Sequence, residues 1–131
     1  MRILGFSKKW DKLNNDTFTT FRFKRHDKRD WFVGEIVQIV YKPRSKEREV
    51  LGIAKIENKE LKDMSWAYKK LAKLKITNAE ANEDGFPDGY DKHGYAKSGY
   101  LFMCEWLFDT YGEKLSCEPM NKLTLCWLEK E

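Results

Sequence analysis

Cysteine is scarce in this chain, and what there is has no pattern. Cys104, Cys117 and Cys126 are three, an odd number with no C-x-x-C pair among them. That excludes a disulfide scaffold and the paired thiolates of a structural zinc site. The three are expected to be reduced and mostly packed, hence a cytoplasmic protein. Long apolar runs are missing too: nothing approaches the roughly 20 residues a spanning helix requires, so no membrane partner is expected. The opening MRILGFSKKW has only a four-residue apolar stretch before charge resumes, too short for a signal peptide. Proline and glycine, 3 and 8 of 131 residues, gather into no linker. With no repeat and no low-complexity stretch either, one domain over residues 1–131 is expected, large enough to bury a real core.

The chemical signatures of several enzyme classes are also absent. There is no G-x-S-x-G, Walker or G-x-G-x-x-G pattern. His93 and the cysteines lack the close spacing of zinc ligands. Asp84, Asp88 and Asp91, in DGFPDGYD, miss the register of a calcium loop. No metal and no cofactor is therefore expected, and His26, set among charges, reads as a surface residue.

Aromatic residues, by contrast, make up 15% of the chain, and many lie between Thr17 and Ile56. Phe18, Phe21, Phe23, Trp31, Phe32 and Tyr41 alternate there with Arg22, Lys24, Arg25, Lys28, Arg29, Lys42, Arg44, Lys46 and Arg48. Cations bind phosphate and aromatic faces stack on bases, so the mixture suggests a β module that handles nucleic acid. The plainer alternative is a β-barrel with solvated basic loops. Charge is unevenly placed. Met1–Lys75 holds 20 Lys/Arg against 10 Asp/Glu, and Ile76–Glu131 holds 5 against 11, balances of +10 and −6 behind the overall +4. Either the halves pair within the fold or one surface attracts phosphate.

Periodicity gives the elements. Arg2–Phe6 reads as a first strand, and Ser7 as the N-cap of a short helix through Leu13, with Trp10 and Leu13 on one face. Asn14-Asn15-Asp16 is a turn. Thr17–Phe23 alternates as a strand, with Thr19, Phe21 and Phe23 on the core face and Phe18, Thr20 and Arg22 on the face toward a cleft or solvent. Ile36–Tyr41 and Val50–Ile56 are strands joined by a basic connection, Lys42–Glu47, whose Pro43 keeps it out of a central ladder. Leu61, Met64, Tyr68, Leu71 and Ala72 recur at helical spacing and predict a helix around Met64–Leu74. Thr77 or Asn78 is expected to cap a short helix through Glu83, stopped by Gly85. Gly85–Gly99 reads as a loop, Tyr100–Tyr111 as a helix stopped by Gly112, and Lys122–Leu128 as a closing strand alternating Leu123, Leu125 and Trp127.

Five pieces in order resemble the ASCH family: T-T-F-R at Thr19–Arg22, W-F-V-G-E-I-V at Trp31–Val37, L-G-I-A-K-I at Leu51–Ile56, A-N-E-D-G-F at Ala81–Phe86, and L-T-L-C-W-L at Leu123–Leu128. The resemblance implies a PUA-like barrel with a helix-flanked cleft, and RNA or modified-nucleotide binding. The family's G-x-K-x-x-x-x-R signature places its Arg at Arg22, but Asn15 and Thr17 stand where its Gly and Lys belong. Some members resemble acetylcytidine amidohydrolases that use a Lys, a Thr and an acid. The resemblance implies Thr20 for the Thr and Asp84, or Glu83, for the acid; the cation would have to come from elsewhere, with Lys8, Lys9 and Lys12 as candidates.

The expected architecture is thus α+β: a small PUA-like β-barrel of about five to six mostly antiparallel strands with flanking helices. The expected function is RNA or nucleotide binding through a basic cleft, with Thr20, Arg22, Lys24, Arg25, Lys42, Arg44, Lys46 and Trp31 making the interactions. Arg22 suits phosphate because its planar fork gives two charge-assisted bonds; its structural alternative is an ion pair with Glu35 or another acid. Trp10 and Trp31 either cap the core or stack on bases. Two other functions remain open: a hydrolase of modified nucleosides or RNA using Thr20, Asp84 or Glu83, and a protein-interaction adaptor whose acidic half meets a basic partner.

Overall fold

The computed structural model of the chain describes residues 1–64 and 76–131. The chain is α+β. Strands β1 (Arg2–Phe6), β2 (Thr17–Phe23), β3 (Ile36–Tyr41) and β4 (Glu49–Lys62) come first, with 3-10 turns at Asp11–Asn14 and Asp27–Arg29. Helix α1 (Asn78–Glu83), the short strands β5 (Gly89–Tyr90) and β6 (Ala96–Lys97), helices α2 (Gly99–Tyr111) and α3 (Lys114–Cys117), and strand β7 (Met120–Lys130) follow. The helix expected around Met64–Leu74 falls, beyond Met64, outside the described residues. No described helix is long and apolar enough to cross a membrane.

Five strands form one curled, mixed sheet in the order β1-β3-β4-β7-β2, and β5 and β6 pair separately. β1 runs parallel to β3, and β3 antiparallel to β4. The sheet is a half-barrel that does not close. β1 and β2 stand at opposite ends of the order, so the ladder a closed barrel needs between them is missing.

The chain divides into two compact units, and β2, β4 and β7 each contribute to both. The first unit comprises Met1–Thr20, Arg25–Lys59 and Leu123–Glu131. Its core is Leu4, Phe6, Leu13, Phe18, Trp31, Val37, Ile39, Ala54, Ile56, Leu123 and Leu125. The alternation of β1 and β7 supplies Leu4 with Phe6 and Leu123 with Leu125. A bulge opposite Ile39/Val40 inserts Leu51 into β4. Opposite it, Ile39 and Val40, consecutive on β3, are both fully buried. Gly52 follows the bulge with φ +147°, and a Cβ there would fall on the carbonyl oxygen of Glu129. Only glycine permits that approach of β7 to β4.

The second unit comprises Phe21–Lys24 and Glu60–Lys122. Thr77 caps α1 through a capping box: its hydroxyl accepts from the Glu80 N–H, and the Glu80 carboxylate accepts from the Thr77 N–H, each at 3.1 Å. Ser98 caps α2 by accepting from the Leu101 N–H, and Gly112 ends it at φ 56°. A Cβ at Gly99 would strike the Phe86 carbonyl and the Asn82 side chain, so α2 starts hard against the end of α1. Met103, Cys104 and Leu107 of α2 are buried.

Three sequence expectations need correction here. Ser7 caps nothing regular; the segment forms only the 3-10 turn at Asp11–Asn14. β4 runs to Lys62 rather than stopping at Ile56. On β2, Phe18 lies in the core and Thr20 is buried, while Thr19 and Phe21 on the other face are buried as well. Both faces of this strand are covered, so alternation could not tell core from cleft.

Candidate nucleic-acid interface

The basic connection after β3 is a structured turn. Lys42 adopts φ 43°, and its N–H donates to the Phe6 carbonyl at 2.8 Å. The Ser45 N–H donates back to Lys42 and the Arg48 N–H to Ser45, at 3.0 and 3.2 Å. The Pro43 ring lies so close to Gly5 that a Cβ there would come within 2.7 Å of it. The backbone therefore holds these cations in a set place. Lys42 is paired with Glu47 at 2.8 Å, and Lys9 with Glu49 at 2.9 Å. The Glu47 carboxylate, bonded to Lys42, is held below its ordinary pKa, and the Lys42 ammonium is raised by the same bond. Arg44, Lys46 and Arg48 are exposed and form no side-chain ion pair with any described residue.

The loop between β2 and β3 carries the second basic group. Lys24, Arg25, Lys28 and Arg29 are exposed. Asp30 closes the loop by accepting from the Arg25 N–H at 3.1 Å, and its other oxygen meets Lys59 at 3.4 Å. Arg2, on β1, pins the loop from below. It makes two 2.6 Å bonds to buried Glu35 and donates to the carbonyls of Arg29 and Asp30. The Glu35 bonds hold the Arg2 guanidinium above its ordinary pKa. Glu35 is thus committed to Arg2. Trp31 is only 4% exposed, its ring under Arg2 at 4.3 Å and near Arg25 at 5.1 Å. A base cannot stack on that ring without displacing a guanidinium.

Arg22 belongs to the second unit and meets other partners. Burial pushes its guanidinium below the ordinary value, opposed by the Tyr111 hydroxyl and the Asp84 carboxylate. Tyr111 is raised by burial, lowered by Arg22 and raised again by Asp84. Asp84 is 6% exposed. The Tyr111 ring packs edge-on against Phe23, centroids 4.8 Å apart, and against Trp106 at 6.1 Å, with Lys114 over Phe23 at 4.3 Å. Arg22 is thus a desolvated cation within electrostatic reach of an acid and a phenol. It suits a single polar group that reaches the guanidinium. A solvated phosphate backbone meets the exposed cations of the two loops more easily.

Of the expected site residues, Arg22 and Asp84 are near enough to act on each other electrostatically. Glu83, at the end of α1, is exposed, and Thr20 is buried in the first unit. Sequence reasoning missed Tyr111, which reads only as the last residue of a helix, and Arg2, whose place beside Glu35 follows from the parallel β1–β3 pairing. Among the described residues no group of three or more His, Cys, Asp or Glu is placed to hold a metal ion. No family model matches the chain, and neither a curated protein nor a solved structure matches it.

Proposed function

We propose that this protein binds RNA or a nucleotide through the exposed cations of its first unit, without chemistry of its own. One observation carries the reading. Arg44, Lys46 and Arg48 stand on a rigid turn with no acidic partner among the described residues, while their neighbours Lys42 and Lys9 are neutralised by Glu47 and Glu49. Cations left unpaired on a fixed scaffold are what a phosphate backbone needs, since binding then releases counterions at no cost in broken ion pairs. Arg25 and Lys28 are further exposed cations of the same unit. Exposed Thr17 stands where the ASCH signature has its lysine, which supports binding over amidohydrolysis. The family reading, a PUA-like barrel, is proposed with it: T-T-F-R lies on β2 and L-T-L-C-W-L on β7, neighbours in a curled sheet.

The test is titration of the protein with a short single-stranded RNA at several salt concentrations. Affinity should fall with a log–log slope of about −0.7 per phosphate neutralised. An affinity that stays flat from low to physiological salt would overturn the reading.

A further inference from the structure

Within the first unit lies a cavity of about 240 Å³ that the basic loops do not include, lined by Lys9, Trp10, Leu13, Asn14, Leu51, Trp127, Lys130 and Glu131. The three partly buried apolar residues packed on the core, Trp10, Leu51 and Trp127, all line it. Its walls are fixed. Trp127 Nε1 donates to the Leu13 carbonyl at 3.0 Å, and the Trp127 backbone N–H donates to Asp16 at 3.0 Å. Its ring also packs on Phe18, centroids 5.2 Å apart. Leu51, the extra residue of the β4 bulge, forms part of the cavity lining.

The rim is cationic. Lys8 lies over the Trp10 ring at 4.4 Å, Lys12 at 5.4 Å, and Lys130 over Trp127 at 5.4 Å. Lys9 completes the set, with Glu49 as its partner and Glu131 as the other acid nearby. Lys12 is buried beside the Trp10 ring; at the opening, Lys8, Lys9 and Lys130 against Glu49 and Glu131 disfavour a cationic guest. Two indole faces over an apolar floor favour a flat ring. We propose that this cavity takes one unpaired nucleotide, its base against Trp10 and Trp127 and its phosphate on Lys8 and Lys130. The volume lies just below the range of drug-sized pockets, which matches one nucleotide and excludes a longer strand within the cavity. Exposed Lys8 and Lys130 give way readily, because a solvated ammonium gains less from an indole face than a stacked base does.

The nucleotide has two possible sources, a free mononucleotide or the unpaired residue of a bound RNA, and the second rests on the function proposed above. The experiment is NMR of the indole N–H signals in the intact protein, titrated in turn with uridine monophosphate, adenosine monophosphate and a short single-stranded RNA. The Trp10 and Trp127 signals should shift saturably, those of buried Trp31 and of Trp106 should not, and Trp10→Leu should weaken binding of the better mononucleotide roughly tenfold. Lys130→Gln, at an exposed position, should weaken the mononucleotide but not its phosphate-free nucleoside. If mononucleotides shift the two indoles while RNA does not bind, the cavity stands as a site for free nucleotide and the RNA reading fails. If RNA binds without moving either indole, the cavity assignment is overturned and the RNA reading survives. If neither ligand binds, both fall.

Discussion

Arg22 shows how far a single residue can be read from its neighbours in sequence. Alternation on β2 sets it apart from Phe21 and Phe23, and an exposed arginine there would cost little to remove. The structure instead desolvates it and places Asp84 and Tyr111 around it. Removing one partner of a buried pair costs about 3–5 kcal/mol, because a charge is left without its counter-charge. Arg22→Ala should therefore destabilise by about 3 kcal/mol, close to the 3–5 kcal/mol expected for the cavity left by Phe21→Ala. Asp84→Asn in the Arg22→Ala background should recover at least about 1 kcal/mol, whereas the same change combined with Phe21→Ala should not. Urea unfolding of the four variants measures this. Equal effects of Asp84→Asn in both backgrounds would mean that Arg22 and Asp84 do not act on each other. Arg2 carries the complementary lesson. It looks like an ordinary charge at the start of a strand, yet it fastens Glu35 and the carbonyls of the β2–β3 loop. Only the long-range pairing of β1 with β3 reveals it.

Elements whose signal is local were legible, and those extended by partners were not. β1, β2, β3 and α2 follow from alternation, caps and the Gly112 stop. Thr77 and Ser98 hold the cap positions that their side chains suit. The last turns of β4 carry NKELK, which has no strand pattern; they are ordered by pairing with β7 and by the lysine stems at Lys59 and Lys62. The segment after Ser7 misled for a different reason, since a 3-10 turn also brings i and i+3 to one side. At α1 the cap and an ion cluster coincide on Glu80. Burial raises its carboxylate, but Lys122 at 2.6 Å, the Thr77 N–H and Lys62 at 3.5 Å together hold it below the ordinary value. A carboxylate lowered on folding adds stability above its unfolded pKa and loses that stability as pH falls through the folded one. Glu80→Gln keeps the capping box, because an amide oxygen also accepts the Thr77 N–H. It should cost about 1–2 kcal/mol at neutral pH, the worth of charge-assisted bonds in a half-buried place. That difference from wild type should vanish once pH drops below the folded-state value. Thr77→Ala should cost about 1 kcal/mol at every pH. Urea midpoints at neutral and acid pH separate the two, and a Glu80→Gln deficit that persists in acid would assign the whole effect to the cap.

For the whole molecule, the charge asymmetry left one question open: do the basic and acidic halves neutralise each other? Lys62–Glu80 at 3.5 Å joins the two halves of the sequence, and so does the electrostatic attraction between Arg22 and Asp84. Arg2–Glu35, Lys9–Glu49, Lys42–Glu47, Lys59–Asp30 and Lys62–Glu60 stay within the first, and Lys97–Glu105, Lys114–Glu118 and Lys122–Glu80 within the second. On the Lys42–Arg48 turn, Arg44, Lys46 and Arg48 are exposed and form no side-chain ion pair with a described residue. If those cations meet phosphate, they set affinity without choosing sequence, because phosphate is the same at every nucleotide. Replacing Arg44, Lys46 and Arg48 by Ala should weaken unrelated single-stranded RNAs by a similar factor. It should also make the salt dependence shallower by about 0.7 for each phosphate that is no longer neutralised. Stability should hardly change, as surface substitutions of this kind stay within about 0.5 kcal/mol. Filter binding of two RNAs of different sequence, over a salt series, checks each part. A loss confined to one sequence would make the turn a reader of bases, and an unchanged salt slope would place the phosphate-binding cations elsewhere on the molecule.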